Sequence, residues 1–189
     1  MRRDTVAQMA AKTQQWDYVL AKAYMQGVPD VVRDALATAY RNLPSVATDA
    51  RLYAQRILEG RSRLEIPPYV TLGLATSEQV ATIADATGVD VTGSDYAVDR
   101  STVGHVRRQH GAPAAEASRG QVAVTAGDYA HLPALLNAPD WIEGGGVSDV
   151  GAPVVRVGKK IDGKLYAGVF EVRRGRKMLA LQSFWIKGP

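Results

Sequence analysis

A chain of 189 residues, 46% hydrophobic and 22% charged, carries apolar material for one large domain or a domain with an extension, and its composition is not that of a disordered chain. It holds no cysteine and three histidines, which excludes disulfides, thiol catalysis and cysteine–zinc sites. Net charge is +4, but residues 154–189 carry nine Lys/Arg against two Asp/Glu, a balance of +7, while residues 67–153 carry four against ten, a balance of −6. That asymmetry implies a cationic surface toward the C-terminal end, suited to a polyanion; charge pairing between two halves of one domain is the competing explanation. No HExxH or paired-carboxylate cluster surrounds the histidines, so neither metal nor cofactor is expected. No apolar run approaches the roughly 18 residues that cross a bilayer, and MRRDTVAQMAAK lacks the apolar core of a secretory signal, so no membrane partner is expected.

In chain order, Val6, Met9, Ala10, Thr13, Trp16, Leu20, Ala23 and Tyr24 recur at three- and four-residue steps and predict an amphipathic helix over residues 4–26, ended by Gly27 and Pro29. A second helix runs from Asp30 to Asn42 before Pro44, and a third from Ser45 to Glu59 before Gly60. Residues 1–66 therefore read as a helical docking or scaffold module. Gly60–Pro68 (GRSRLEIPP) is the expected boundary, and residues 67–189 form the second domain. There, Thr71–Gly73 suggests a short strand, Ser77–Gly88 a helix with Val80, Ile83 and Ala84 inward, and Val89–Val91 a brief extended piece. Tyr96–Asp99 reads as a link.

Asp99–Gly111 (DRSTVGHVRRQHG) is the segment with the densest chemistry. Asp99 or Ser101 suits an N-cap and Gly111 the left-handed residue just past a helix end, which predicts a short helix. His105 and Arg108 fall about 60° apart on it, while His110 lies about 140° from His105 at the last turn. A histidine beside a fixed guanidinium suits phosphate chemistry; a solvated helix with a satisfied histidine is the bland alternative. Ala112–Arg119, with Glu116, reads as a loop. Gln121–Thr125 alternates as a strand, and Thr125 opens a helical turn whose His131 faces an apolar interior.

The C-terminal third alternates as three strands: Val154–Ile161, Lys164–Arg173 after an Asp162-Gly163 turn, and Lys177–Ile186 after an Arg174-Gly175 turn. Tyr166, Gly168, Phe170 and Val172 share one face, opposite Leu165, Ala167, Val169 and Glu171. One face is expected to pack on helices and the other to present Lys160, Glu171 or Ser183. Trp185 and Tyr166 carry ring faces able to stack on a base, with core packing as the competing role.

Read together, residues 89–187 resemble the phage-associated branch of the barnase–EndoU–colicin–RelE (BECR) nuclease superfamily. The motifs are H-x4-H-G at His105, His110 and Gly111; a glutamate and G-Q step at Glu116, Gly120 and Gln121; and T-x2-D leading to L-P at Thr125, Asp128, Leu132 and Pro133. A K-K-I strand (Lys159–Ile161), an E-V-R strand (Glu171–Arg173) and a last-strand hydroxyl (Ser183) complete the pattern. Two positions depart from it: Ser183 stands where threonine is common, and Gly104 where a larger residue is usual. The resemblance implies an α+β protein in which helices pack on an antiparallel sheet. It further implies a metal-independent endoribonuclease, a phage or toxin effector that uses the RNA 2′-hydroxyl as nucleophile. His105 and His110 would then move protons. Arg108 (or Arg107) and Lys160 would stabilise the phosphate, and Ser183 would hydrogen-bond it. Lys159, Arg107, Arg173, Arg174, Arg176 and Lys177 would hold RNA. Expected partners are RNA and a virion head protein or immunity protein, with residence in the virion or the host bacterial cytoplasm. The alternatives are a virion or interaction protein with an inactive nuclease-like fold, or a nucleic-acid-binding module without chemistry.

Overall fold

The computed structural model of the protein describes residues 29–188; the helix expected over residues 4–26 lies outside the described residues. Two helices come first, α1 (Asp30–Arg41) and α2 (Pro44–Leu58). Pro44 opens α2 because its fixed φ and missing N–H suit the first helical position. There follow β1 (Tyr69–Leu74), α3 (Ser77–Thr87), β2 (Asp95–Asp99), α4 (Arg100–His110), α5 (Pro113–Ser118) and β3 (Gln121–Val122). A 3₁₀ turn (Ala126–His131) leads into α6 (Leu132–Asn137), then β4 (Trp141–Val147), β5 (Pro153–Ile161), β6 (Lys164–Arg173) and β7 (Met178–Lys187). A reciprocal capping box between Thr76 and Gln79 starts α3, and Gly88, at φ 71°, ends it in the left-handed conformation.

The protein is α+β. Its sheet runs β1-β2-β7-β6-β5-β4, with β3 on the far end of β7. Every pairing is antiparallel except β2 with β7, which is parallel. The three-stranded C-terminal meander forms as its alternation and Asp162-Gly163 turn predict. Local signals fail in four other places. The Tyr96–Asp99 link is strand β2, and Val89–Val91 is irregular. The Ala112–Arg119 loop contains α5, begun by Pro113. Strand β4 goes unread because three glycines in WIEGGGV erase its alternation.

Cross-strand partners point to the same face, so the register sorts every side chain of the meander. Tyr166, Gly168, Phe170 and Val172 lie on the helix-covered face with Val155, Val157, Leu181 and Phe184. Tyr96 meets Phe170 edge-on at 5.1 Å, and Tyr129 meets Phe184 at 5.6 Å. Val46, Ala50, Tyr53 and Ala54 of α2 enter the same core, so the helices before the Gly60–Pro68 connector share one interior with the sheet. The opposite face carries Arg156, Gly158 and Lys160 of β5, Leu165, Ala167 and Val169 of β6, and Ser183, Trp185 and Lys187 of β7.

Two charged side chains fasten these layers. Arg41 is buried at the end of α1. Its Nε donates to the Leu72 carbonyl at 3.2 Å, its Nη1 to the Leu136 carbonyl at 3.2 Å, and its Nη2 to the Leu74 carbonyl. The guanidinium also lies over the Tyr96 ring, 5.6 Å from its centre. Asp99 caps α4, accepting from the Thr102 N–H at 2.9 Å and the Ser101 hydroxyl at 2.6 Å, while its second oxygen accepts from Arg173 at 3.0 Å. Burial alone would raise the Asp99 pKa, but these hydrogen bonds outweigh it and hold the carboxyl below the usual carboxylate range.

Arg41→Ala leaves three buried carbonyls short of a donor. We expect a loss of about 3 kcal/mol, which for a chain of this size lowers Tm by roughly 6–12 °C in a thermal melt. A depressed carboxylate pKa contributes stability above the unfolded value, near about 4, and loses it as pH falls through the folded value. Asp99→Asn keeps a capping side chain. It should be less stable than wild type at pH 7 and should lose less stability between pH 5 and pH 2, as read by denaturant midpoints across that range.

Candidate active site

The site begins with a gap in an edge. On the side of β7 away from β6, β2 pairs with Met178–Ala180 and β3 with Ile186–Lys187, which among the described residues leaves Leu181–Trp185 without a strand partner there. Helix α4 covers that stretch: the Thr102 hydroxyl donates to the Leu181 carbonyl, and Val103 and Val106 are buried. Within the same stretch β7 carries one extra residue. Phe170 pairs with Leu181 and Val169 with Ser183, so Gln182 forms a bulge that resets which face the following residues take. Ser183 thereby turns onto the opposite face of the sheet, which no helix among the described residues covers, while Phe184 stays in the core.

The last turn of α4 brings His110 to this place, and the Val124 N–H fixes its backbone by donating to the His110 carbonyl at 2.7 Å. His110 Nε2 lies 3.3 Å from Ser183 Oγ, and Nδ1 lies 3.1 Å from Glu116 Oε2. Glu116 comes from α5, is fully buried, and accepts from Arg119 Nη1 at 2.9 Å through its other oxygen. A carboxylate only accepts hydrogen bonds, so its contact with Nδ1 places a proton there and leaves the Nε2 lone pair facing the Ser183 hydroxyl. Glu116, His110 and Ser183 thus form a relay of acceptor, orientable base and hydroxyl, reached from the half-exposed end at Ser183.

The remaining sequence-predicted residues divide into three groups. His105, Arg107 and Arg108 are exposed on α4, and His105 is not joined to the relay. Lys160 is exposed on the same face of the sheet as Ser183. Lys159 and Arg173 are engaged within the protein: Lys159 Nζ donates to the Ala138 carbonyl, and Arg173 bridges Asp99 at 3.0 Å and Glu171 at 2.8 Å. Arg174, Arg176 and Lys177 are exposed on the turn before β7, six or more residues from Ser183, about 20 Å along a strand. His131 rests against the Tyr166 ring at 4.8 Å, the interior role its surroundings suggest.

Glu116 stands in the sequence motif with no role attached to it. Pro113 followed by an alanine run was the available sign that its segment is helical, with an acid at the helix start. Arg119, three residues on, completes the i,i+3 pair. Among the described residues no three His, Asp or Glu side chains converge as a metal site, and no helix is long and apolar enough to cross a membrane.

Residues 74–189 match a family model described as phage-Barnase-EndoU-ColicinE5/D-RelE like nuclease3. Comparisons with curated proteins and with solved structures give no match. The matched span covers more than half of the chain, runs from the last residue of β1 through β7, and includes Glu116, His110 and Ser183. The chain belongs to this phage-associated BECR nuclease family.

Proposed function

We propose that the protein is a metal-independent endoribonuclease, a phage or toxin effector that cleaves RNA through the substrate's own 2′-hydroxyl. The relay Glu116–His110–Ser183 carries this reading: it supplies an oriented base, a hydroxyl donor and a buried counter-charge at one half-exposed point of a nuclease fold. With Nδ1–H held by Glu116, His110 Nε2 takes the proton from the 2′-hydroxyl. The 2′-oxygen then bonds to phosphorus, the bond to the 5′-oxygen breaks, and that oxygen leaves with a proton from a second acid. His105, on the exposed side of the same helix, is the proposed acid. Ser183 turns its hydroxyl from Nε2 toward a phosphate oxygen, and Arg108 and Lys160 add positive charge as the phosphorane forms. Arg107, Arg174, Arg176 and Lys177 are proposed as outer contacts along the RNA strand. The products are a 2′,3′-cyclic phosphate and a free 5′-hydroxyl. An immunity protein or a virion head protein is the proposed protein partner, and the virion or host cytoplasm the place of action.

The same relay order is that of a serine nucleophile activated by histidine, which would form a phosphoseryl intermediate and would not need a 2′-hydroxyl.

The test is cleavage of total RNA in EDTA by wild type and variants matched for folding by circular dichroism. His110→Ala should lower the rate about 10²–10⁴-fold, the usual worth of a general base. Glu116→Gln, which keeps the shape but removes the charge that holds Nδ1–H, should lose about as much. Ser183→Ala should lose roughly 10–100-fold, the worth of one hydrogen bond to a charged group. A folded wild type that cuts no RNA would transfer the reading to a nucleic-acid-binding or virion protein.

A further inference from the structure

Charge balance constrains the relay as tightly as distance does. Glu116 is fully buried, and among the described residues two groups reach its carboxylate: His110 Nδ1 at 3.1 Å on Oε2 and Arg119 Nη1 at 2.9 Å on Oε1. No other cation bridges it among those residues. Arg119 is therefore the one group besides the imidazole that balances the carboxylate. Its side chain is half-exposed, so it brings charge to Glu116 from the solvent side without the cost of burying a second ion.

The same nitrogen has a second contact. Nη1 also donates to the Gln109 carbonyl at 3.3 Å. That carbonyl is among the last four of α4, which the helix leaves without a donor, and the residue four places on is Pro113, which has no N–H. One residue further, the His110 carbonyl accepts from the Val124 N–H at 2.7 Å. Arg119 thus touches the relay twice, at the carboxylate that orients the ring and at the peptide that carries it.

We propose that Arg119 is a positioning residue of the relay: through Glu116 it holds His110 in the neutral form with Nε2 open to Ser183. With Arg119 in place, carboxylate and guanidinium cancel, and the imidazole keeps one hydrogen, on Nδ1. Without that cation the buried carboxylate is balanced only by taking up a proton, and there are two places to put it. On the imidazole, the proton occupies Nε2, which then cannot act as a base. On the carboxyl, it turns Glu116 into a donor that no longer fixes the hydrogen on Nδ1. Either way the Nε2 lone pair facing Ser183 is not held open. The consequence for cleavage rests on the nuclease reading, whereas the state of the ring does not.

The test compares the full chain carrying Arg119→Gln, which keeps a hydrogen-bond donor and loses the charge, with Arg119→Lys, which keeps the charge. Both are matched to wild type for folding by circular dichroism. The first readout is the His110 ring in long-range ¹H–¹⁵N spectra at pH 7, assigned by its absence from His110→Ala. Wild type and Arg119→Lys should show a protonated Nδ1 and a bare Nε2, and Arg119→Gln the imidazolium or a mixture of the two neutral tautomers. The second readout is cleavage of RNA in EDTA. Arg119→Gln should lower kcat about 10²-fold with KM changed less than about threefold, and Arg119→Lys should recover at least about tenfold of that loss. In a Glu116→Gln background, adding Arg119→Gln should cost less than about threefold more, because the carboxylate it serves is gone. That double variant buries no charge, which keeps the comparison open if Arg119→Gln alone does not fold. A His110 ring unchanged in Arg119→Gln, equal losses in the Gln and Lys variants, or the full further loss in the Glu116→Gln background would overturn the proposal. The expected ring states in a wild type that cuts no RNA would instead overturn the nuclease reading alone.

Discussion

A carboxylate removed from water costs several kcal/mol unless charges and hydrogen bonds replace its hydration, and Glu116 is fully buried. That one constraint organises the site. Arg119 satisfies one oxygen from the next turn, and His110 satisfies the other from a different helix. Joining α4 to α5 in this way fixes the imidazole plane and leaves Nε2 aimed at Ser183. The ring is therefore oriented before any substrate arrives, which is the condition under which a base contributes most.

The sheet contributes the other half. Were a single strand paired along the whole of this edge of β7, in place of β2 at one end and β3 at the other, Leu181–Trp185 would be covered and no helix terminus could reach Ser183. The break in that edge admits α4, and the Gln182 bulge turns Ser183 outward within it. Asp99 serves both ends of this arrangement, capping α4 with one oxygen and holding Arg173 of β6 with the other. The parallel pairing of β2 with β7 follows from the same geometry: α4 leaves the end of β2 and runs on along the strand that β2 has just paired.

The legible parts of the sequence were those governed by period and by turn chemistry. The Tyr166–Val172 alternation assigned faces correctly because a β-strand has period two, and the Asp162-Gly163 turn set the register between β5 and β6. Asp99 and Gly111 marked the ends of the histidine helix, but Gly111 sits at φ −98°, not in the left-handed region expected of it. What stayed hidden depended on contacts distant in sequence. His110 and Ser183 are 73 residues apart, and no local pattern announces a bulge at Gln182. Helical angle alone favoured His105 with Arg108, yet the structure joins His110 to the relay because the last turn of α4 meets α5 there. Lys159 looked like Lys160 in sequence; one residue of strand period sends Lys159 to the Ala138 carbonyl and leaves Lys160 exposed on the opposite face. Strand β4, with its three glycines, hid Trp141 altogether.

The most direct measurement of the central claim uses a short unpaired RNA with a single 2′-deoxy substitution at one cleaved linkage, digested in EDTA and analysed by mass spectrometry. If His110 draws its proton from the 2′-hydroxyl, the substituted linkage stays intact while the others are cut and leave 2′,3′-cyclic phosphate ends. Cutting at the deoxy linkage, with no cyclic ends at the others, would contradict the account and would make Ser183 the nucleophile.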